Sequence, residues 1–262
     1  MKARALILAA GQGTRLRPLT KNKPKCLVKL CGHTLLEIQV KALNNNNITK
    51  IHIATGFCSE QIKKLGFKIS FNAKFAETNM VETLFSARDF INEDGELIIA
   101  YGDIVYESKN LEALLKCNDE IALMIDSKWK KLWSLRIQNP LEDAETLVMD
   151  NNNYVLELGK KPNNYNKIQG QYTGLIKVRA DKVQELVSFY DNLDRKKLYD
   201  GKKFQNMYMT SFIQELINSN WKVKAVLVNN GWLEIDTVKD LNNYEQMSKD
   251  GRLDEFYKIF EK

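Results

Sequence analysis

The sequence predicts an α/β protein in which a doubly wound, mainly parallel sheet is joined to a smaller mixed α/β part. Short apolar runs alternate with helical patterns through the first half of the chain, which is the order of parallel strands with helical crossovers. The runs lack polar alternation, as expected for strands covered on both faces. At 262 residues, the chain is close to the size at which one core stops growing, so we expect a single domain.

The first half contains the regular part of this pattern. Apolar runs rich in Ile, Leu and Ala predict strands at residues 5–10, 51–55, 68–71, 97–101 and 121–125. Apolar residues three or four positions apart predict helices at residues 35–43, 59–65, 80–90 and 111–117. Ligands of such sheets bind beyond the carboxyl ends of the strands, so we expect the functional site at that edge.

The second half has shorter and less regular elements. Two runs at residues 147–149 and 154–158 flank an Asp-Asn-Asn-Asn segment and predict a hairpin, and a further strand is predicted at 175–178. Helical patterns follow at residues 181–190, 206–218, 238–247 and 253–260. We therefore expect a nucleotide-binding part over about 1–126, an acceptor-binding part over about 127–235 and C-terminal helices over about 236–262.

The positive charge of the chain is concentrated near its start. The formal net charge is +6, yet residues 1–36 contain eight Lys and Arg and no Asp or Glu, and the remaining residues carry a net charge of −2. A general nucleic-acid binder shows basic residues over a broad face or a tail. The distribution therefore indicates a local anion site and argues against a nucleic-acid partner.

The remaining composition is that of an ordinary globular protein. Hydrophobic residues make up 44% and charged residues 27%, which excludes a disordered or fibrous class. The apolar run at residues 5–10 is far shorter than a membrane span, so we expect no membrane partner. The four cysteines form no C-x-x-C pair and the two histidines have no zinc spacing, so we expect a soluble cytoplasmic protein with reduced thiols.

A glycine-rich segment follows the first predicted strand. Residues 8–20 are L-A-A-G-Q-G-T-R-L-R-P-L-T. Gly11 and Gly13 allow backbone N–H groups to approach phosphate oxygens, and Arg15 and Lys25 add positive charge for a polyphosphate. No G-K-S/T follows and the third glycine of G-x-G-x-x-G is absent, so neither a Walker A loop nor dinucleotide binding is favoured.

The whole string, with P-K at residues 24–25, closely resembles the signature L-A-A-G-x-G-T-R-L-x-P-L-T-x-x-x-P-K of the nucleotidyltransferases that make NDP-sugars and of their cytidylyl relatives. The resemblance implies the Rossmann-like fold of that family, with the loop around a nucleoside triphosphate and Arg15 and Lys25 as catalytic cations. It implies nucleotide contacts by Leu8, Ala9, Ala10, Gly11, Gln12, Gly13, Thr14, Asn79 and Gly102.

Two acids stand where the resemblance implies metal carboxylates. Asp103 lies in A-Y-G-D-I at the end of a predicted strand, and Asp236 lies in W-L-E-I-D-T. The family resemblance implies that both are catalytic and hold Mg²⁺, which prefers oxygen ligands. The alternatives are an ordinary turn acid for Asp103 and a helix-start acid for Asp236, because Thr237 and Asp240 have the spacing of a capping box.

Two neighbouring segments are predicted to contact the acceptor. In E-L-G-K-K-P, the resemblance implies that Lys160 or Lys161 holds the phosphate of the incoming substrate as a catalytic cation, and we favour Lys160. The segment G-Q-Y-T-G-L at 170–175 resembles a loop that lines the acceptor pocket, which implies contacts by Tyr172 and Gly174.

The segment at residues 77–87, E-T-N-M-V-E-T-L-F-S-A, favours CTP. It resembles the N-N/M-x-x-S-L segment of phosphocholine and 2-aminoethylphosphonate cytidylyltransferases and departs from the Gln-Pro-x-Gly pattern of NDP-sugar enzymes. The alternative role for Asn79 is a helix cap with Glu82 as its reciprocal partner. Both roles are compatible for Asn79.

Four segments of the second half are K-L-W-S at 131–134, N-P-L-E-D-A-E-T-L at 139–147, E-L-G-K-K at 157–161 and N-M-Y-M-T-S-F at 206–212. They resemble the cytidylyltransferase branch that acts on L-glutamine phosphate. The resemblance implies Mg²⁺-dependent transfer of CMP to that acceptor in capsular phosphoramidate biosynthesis. An amino-acid acceptor needs an acid for its ammonium and a base for its carboxylate; Glu142 and Arg136 are the predicted contacts, with Asp143 and Glu145 nearby. The alternative for each of these four charged residues is an ordinary solvated surface position. The tryptophans at 129, 133 and 232 could close the acceptor pocket, and the alternative for them is packing in the core.

Rival functions remain open at this point. They are the same reaction with phosphocholine, an aminoalkyl phosphonate or a sugar 1-phosphate as acceptor, and a non-catalytic CTP-binding protein. The predicted partners are CTP and a small phosphorylated acceptor, and the sequence sets no oligomeric state.

Overall fold

The computed structural model describes residues 2–259. Its strands are β1 (Ala3–Ala9), β2 (Lys29–Leu30), β3 (His33–Thr34), β4 (Ile51–Thr55), β5 (Lys68–Phe71), β6 (Glu96–Tyr101), β7 (Ile104–Tyr106), β8 (Ile121–Asp126), β9 (Leu147–Met149), β10 (Val155–Leu158), β11 (Gln171–Val178), β12 (Val223–Val228) and β13 (Trp232–Glu234). Its α-helices are α1 (Leu35–Asn45), α2 (Ser59–Lys63), α3 (Met80–Phe85), α4 (Arg88–Ile91), α5 (Ser108–Leu115), α6 (Trp129–Arg136), α7 (Val183–Asn192), α8 (Met209–Asn218) and α9 (Val238–Lys249). No helix among the described residues is long and apolar enough to cross a membrane.

A seven-stranded sheet forms the centre of the molecule, in the order β12–β8–β11–β6–β1–β4–β5. Neighbouring strands are parallel except at β11, which is antiparallel to both β6 and β8. The predicted doubly wound, mainly parallel sheet is confirmed. Because β11 and β12 come from the second half of the chain, the sheet continues across the boundary expected at residue 126, and that division stays a prediction.

Both faces of the sheet are buried under helices. Along β1, Ala5, Ile7 and Ala9 pack into one apolar cluster with α1, α5, α6 and α9. Leu6 and Leu8 point to the opposite face, where they pack with α3, α4, α7 and α8. This double coverage explains why the strands lack polar alternation.

The structure corrects several predicted elements. The helix predicted at residues 80–90 is divided into α3 and α4, and the one predicted from 206 begins at Met209. The helix predicted at 253–260 is wrong: its described part is a short 3-10 turn at Leu253–Glu255, and residue 260 lies outside the described residues. Beyond that turn, the carbonyl of Phe256 accepts from Gly231 and the amide of Lys258 donates to Glu107. These tertiary hydrogen bonds replace helical ones.

A small two-stranded sheet positions the site at the edge of the central sheet. After β6 the chain turns at Gly102 and Asp103 into β7, which pairs antiparallel with β13. The amide of Ile235 then donates to the carbonyl oxygen of Asp103 at 3.0 Å. This pairing brings a segment near residue 235 beside the end of β6.

Candidate active site

Three carboxylates meet beside the end of β6. Oxygens of Asp103, Glu234 and Asp236 all lie within 4.8 Å of one another. Asp103 follows β6, and the β7–β13 pairing carries the other two to it. The sequence predicted Asp103 and Asp236 as metal ligands but gave Glu234 no role, although it lies in the same W-L-E-I-D segment.

Two cations from the first part of the chain reach this cluster. The Nζ atom of Lys25 lies 2.7 Å from Asp103 and 2.5 Å from Asp236. A guanidinium nitrogen of Arg15 lies 2.6 Å from the other oxygen of Asp236. The side chain of Arg15 is 64% exposed, whereas that of Lys25 is only 15% exposed. Arg15 is therefore accessible to an entering ligand from its exposed side, and Lys25 is enclosed between the two aspartates.

The pKa values in the cluster reflect this close packing. Burial alone would lower the pKa of Lys25, but Asp103, Asp236 and Glu234 raise it above its usual value. Burial would raise the pKa of Asp236, but Lys25 and Arg15 hold it below its usual range. For Glu234, burial outweighs the neighbouring Arg136 and raises the pKa to about 7.

The donor set fits a magnesium ion. Carboxylate oxygens are the ligands that Mg²⁺ prefers, with phosphate oxygens completing the set. The Oδ1 atom of Asp103 is buried and has no hydrogen-bond partner among residues 2–259. The cluster thus offers a carboxylate oxygen that the protein itself does not satisfy.

Arg136 lies behind the cluster. Its buried guanidinium is 2.7 Å from Glu234 and 3.3 Å from Asp240. Asp240 in turn closes a capping box with Thr237 at the start of α9, so the predicted box is confirmed. Arg136 was predicted to contact the acceptor; the structure places it where it fixes Glu234 and the start of α9.

A first cavity, of about 160 Å³, lies between the glycine-rich segment and α3. Of the residues predicted to bind nucleotide or metal, those that line it are Leu8, Ala9, Ala10, Gly11, Lys25, Asn79, Gly102 and Asp103. Phe75, Thr78, Met80 and Tyr101 also line it, and no role was predicted for these four residues. Phe75, Thr78 and Met80 lie within four positions of Asn79, and this proximity was the signal available in the sequence.

Close backbone contact explains two glycines of this region. A Cβ on Gly102 would lie 2.7 Å from the carbonyl oxygen of Leu8. Gly13 adopts a left-handed conformation with φ 58°, and its carbonyl accepts a hydrogen bond of 2.6 Å from the hydroxyl of Thr20. Gln12, Gly13 and Thr14 are not among the described residues that line the cavity; they form the turn leading to Arg15.

A second cavity, of about 240 Å³, adjoins the first and shares Asn79, Met80 and Tyr101 with it. Tyr172 and Gly174, the predicted acceptor-loop residues, line it. Gly174 has φ 86°, and a Cβ there would meet the ring of Tyr101 at 2.7 Å. Further lining residues are Arg15, Trp133, Asp143, Glu145, Gln171, Thr173, Tyr208, Met209, Thr210, Trp232, Glu234 and Asp236.

Comparison with known protein families shows which family the chain belongs to. The family model described as "Nucleotidyl transferase" matches residues 4–134, which include the glycine-rich segment, Lys25 and Asp103. The chain belongs to the nucleotidyltransferase family. Its fold is that of a nucleotidyltransferase, and the predicted enzyme class is confirmed.

Individual relatives point to the cytidylyl branch. The nucleotidyltransferase is 45% identical, over 246 residues, to the CTP:phosphoglutamine cytidylyltransferase of Campylobacter jejuni subsp. jejuni serotype O:2, a match that covers 90% of this chain and 97% of the relative. It is 26% identical to the choline-phosphate cytidylyltransferase of Streptococcus pneumoniae, over 94% of this chain and 98% of that enzyme.

Solved structures share the fold. The CTP:phosphocholine cytidylyltransferase of Streptococcus pneumoniae superposes with a TM-score of 0.70 at 24% identity, covering 95% of this chain and 100% of that one. The inositol-1-phosphate CTP transferase of T. maritima gives a TM-score of 0.73 at 20% identity, covering 97% of each chain. At these identities the likeness concerns the fold alone.

Three predicted acceptor contacts lie outside both cavities of the nucleotidyltransferase. Within the described part of the chain, Lys160, Lys161 and Glu142 are absent from the lining residues. Lys160 pairs with Glu157 at 2.9 Å, and Lys161 donates to the carbonyls of residues 141 and 142. Glu142 is exposed. Its neighbours Asp143 and Glu145 take the positions in the cavity.

Asn79 has two roles in the structure. Its side chain accepts from the amide of Met80 at 2.8 Å and caps α3, and the residue also lines both cavities. The reciprocal bond expected from Glu82 is not formed, because the carboxylate of Glu82 accepts from the hydroxyl of Tyr190 at 2.6 Å. A tertiary contact replaces the second half of the predicted box.

Proposed function

We propose that this nucleotidyltransferase transfers CMP from CTP to L-glutamine phosphate, giving CDP-L-glutamine and pyrophosphate. The observation that carries the proposal is the 45% identity to a CTP:phosphoglutamine cytidylyltransferase, which extends over 97% of that relative. We further propose that the reaction takes place in the cytoplasm and serves the biosynthesis of capsular polysaccharide phosphoramidate. The two adjoining cavities support a nucleotide and an acceptor bound side by side.

In this proposal an oxygen of the acceptor phosphate attacks the α-phosphorus of CTP in line, and pyrophosphate leaves. The nucleophile is already anionic, so no side chain has to remove a proton. Catalysis therefore depends on positioning and on neutralising charge. The loop after β1 and Gly102 hold the nucleotide at the first cavity, and Asn79 lies at the junction with the second cavity, which is assigned to the acceptor.

The cations of the cluster supply the neutralisation. Arg15, which is exposed and lines the acceptor cavity, is assigned to the leaving phosphates, and Lys25, which lines the nucleotide cavity, to the α-phosphate. Asp103 and Asp236, with Glu234 beside them, would hold Mg²⁺, which stabilises charge on phosphate oxygens. Lys160 or Lys161 is assigned to the acceptor phosphate, with Lys160 preferred.

A panel of nucleotides and acceptors tests the proposal. Pyrophosphate release is measured with CTP, UTP, ATP and GTP against L-glutamine phosphate, phosphocholine, 2-aminoethylphosphonate and a sugar 1-phosphate. We expect the highest kcat/KM for CTP with L-glutamine phosphate. A higher kcat/KM with another acceptor would reject the proposed acceptor, and CTP binding without pyrophosphate release from any pair would reject catalysis.

The metal assignment has its own test. Asp103→Asn and Asp236→Asn should each reduce turnover by at least a thousandfold while the protein stays folded, and both should weaken Mn²⁺ binding measured by electron paramagnetic resonance. Asp181→Asn is the matched control, because Asp181 forms an exposed ion pair with Arg179. Normal Mn²⁺ binding and turnover in either cluster variant would contradict the assignment.

A further inference from the structure

The second cavity has a marked excess of negative charge. Asp143, Glu145, Glu234 and Asp236 line it, and Arg15 is the one basic side chain among the described residues that do so. Glu234 and Asp236 belong to the cluster assigned to Mg²⁺, but Asp143 and Glu145 do not, and a phosphate group would be repelled by these two acids. The excess therefore indicates a second, positively charged group on the same ligand.

Two of these four acids already have a cation within the protein. Asp236 pairs with Lys25 and Arg15, and Glu234 pairs with Arg136. Asp143 and Glu145 form no ion pair among the described residues, but Asp143 is exposed to water. Glu145 is partly buried, and its carboxylate accepts no hydrogen bond within the described part of the chain. Burial, reinforced by Glu234 and Asp143, raises the pKa of Glu145 to about 7.

The side chain of Gln171 fixes the backbone at Glu145 through two hydrogen bonds. The side-chain oxygen of Gln171 accepts from the amide of Glu145 at 3.1 Å, and its nitrogen donates to the carbonyl of Glu145 at 2.7 Å. Gln171 is itself only 4% exposed. The carboxylate is thus carried by a rigid stretch of chain, as required of a group that discriminates between ligands.

We infer that Glu145 determines acceptor specificity by pairing with an ammonium group of the phosphorylated acceptor. The inference rests on the proposed function and extends it from the reaction to the acceptor group that is recognised. An ammonium supplies the cation that Glu145 lacks within the protein. Trp133 and Tyr172, which line the same cavity, limit the access of water, so the pair is stronger than an exposed one.

The test separates recognition of the ammonium from the chemical step. Wild type, Glu145→Gln and the control Glu112→Gln, which alters an exposed ion pair, are assayed with CTP and two acceptors. One acceptor is L-glutamine phosphate, and the other is its analogue with hydrogen in place of the α-ammonium. For Glu145→Gln we expect the KM for L-glutamine phosphate to rise about a hundredfold, the loss expected when one partner of a buried charge pair is removed, while kcat and the KM for CTP stay close to wild type.

The analogue provides the decisive comparison. Wild type should use it about a hundredfold less efficiently than L-glutamine phosphate, and Glu145→Gln should use both acceptors with similar efficiency. Equal use of both acceptors by wild type, or an unchanged KM in the variant, would overturn the inference and leave the proposed reaction standing. If wild type instead uses a different phosphorylated amine and the variant raises its KM, the proposed acceptor is wrong and the inference holds.

Discussion

Replacing Glu145 by Gln should change how the stability of the free protein depends on pH. The largest cause of the raised pKa of this carboxyl is burial, followed by repulsion from Glu234, Asp143 and Asp200. The pKa lies near 4.5 in the unfolded chain and at about 7 in the folded one. Between these values the folded state binds more protons, so the free energy of unfolding contributed by Glu145 decreases as the pH rises and is constant above about pH 7.

The size of the effect follows from the two pKa values. Linkage predicts that between pH 5 and pH 8 the wild type loses about 2 to 3 kcal/mol of stability through this one group. A glutamine does not ionise, so Glu145→Gln should avoid the loss. Titrating groups that do not interact with Glu145 are common to both proteins and cancel in the comparison.

The assay is urea denaturation of both proteins at pH 5 and pH 8 without ligands, followed by the fluorescence of the four tryptophans. The stability of Glu145→Gln relative to wild type should rise by about 2 to 3 kcal/mol from pH 5 to pH 8. A relative stability that is the same at both pH values would show that Glu145 is well solvated, and the account of an unpaired buried carboxylate would then be wrong.

Three further predictions concern other parts of the site. Arg136→Met leaves the carboxylates of Glu234 and Asp240 without their buried cation and should reduce the free energy of unfolding, measured with urea, by about 3 to 5 kcal/mol. The control Arg179→Met removes an exposed ion pair and should reduce it by less than about 1 kcal/mol. Equal losses in the two variants would contradict the assignment of Arg136. Gly102→Ala places a methyl group 2.7 Å from a carbonyl oxygen of β1, so calorimetry should show weaker CTP binding, and unchanged binding would exclude this close approach. Lys160→Met should raise the KM for the acceptor about tenfold without changing the KM for CTP; if only Lys161→Met does so, Lys161 holds the acceptor phosphate.

Local patterns predicted most of the fold. The strands at residues 51–55 and 68–71 were predicted with the bounds that the structure has, because β-branched and aromatic residues in short runs favour a strand. Two strands and a helix of the second half, β12, β13 and α6, were missed. The spacing of Trp129, Leu132, Trp133 and Arg136 on α6 is a helical signal that was available in the sequence.

The acceptor side of the site was the least predictable. Glu142, Asp143 and Glu145 lie within four residues, and composition alone does not distinguish them. Asp143 and Glu145 line the second cavity and Glu142 does not, although Asp143 is exposed like Glu142. Hydrogen bonds between the side chain of Gln171 and the backbone of Glu145 hold this segment beside the cavity, and they join residues 26 positions apart.

By itself, the sequence determined the α/β class, the glycine-rich segment and the nature of its cations, because each is a local pattern of residue types. Only the tertiary structure brought Glu234 to Asp103 and Asp236, placed Arg136 behind them and left Glu145 without a cation. These features depend on the pairing of β7 with β13 and on burial. Hydrophobic periodicity shows which face of a strand is buried, but it does not show which strand lies beside it.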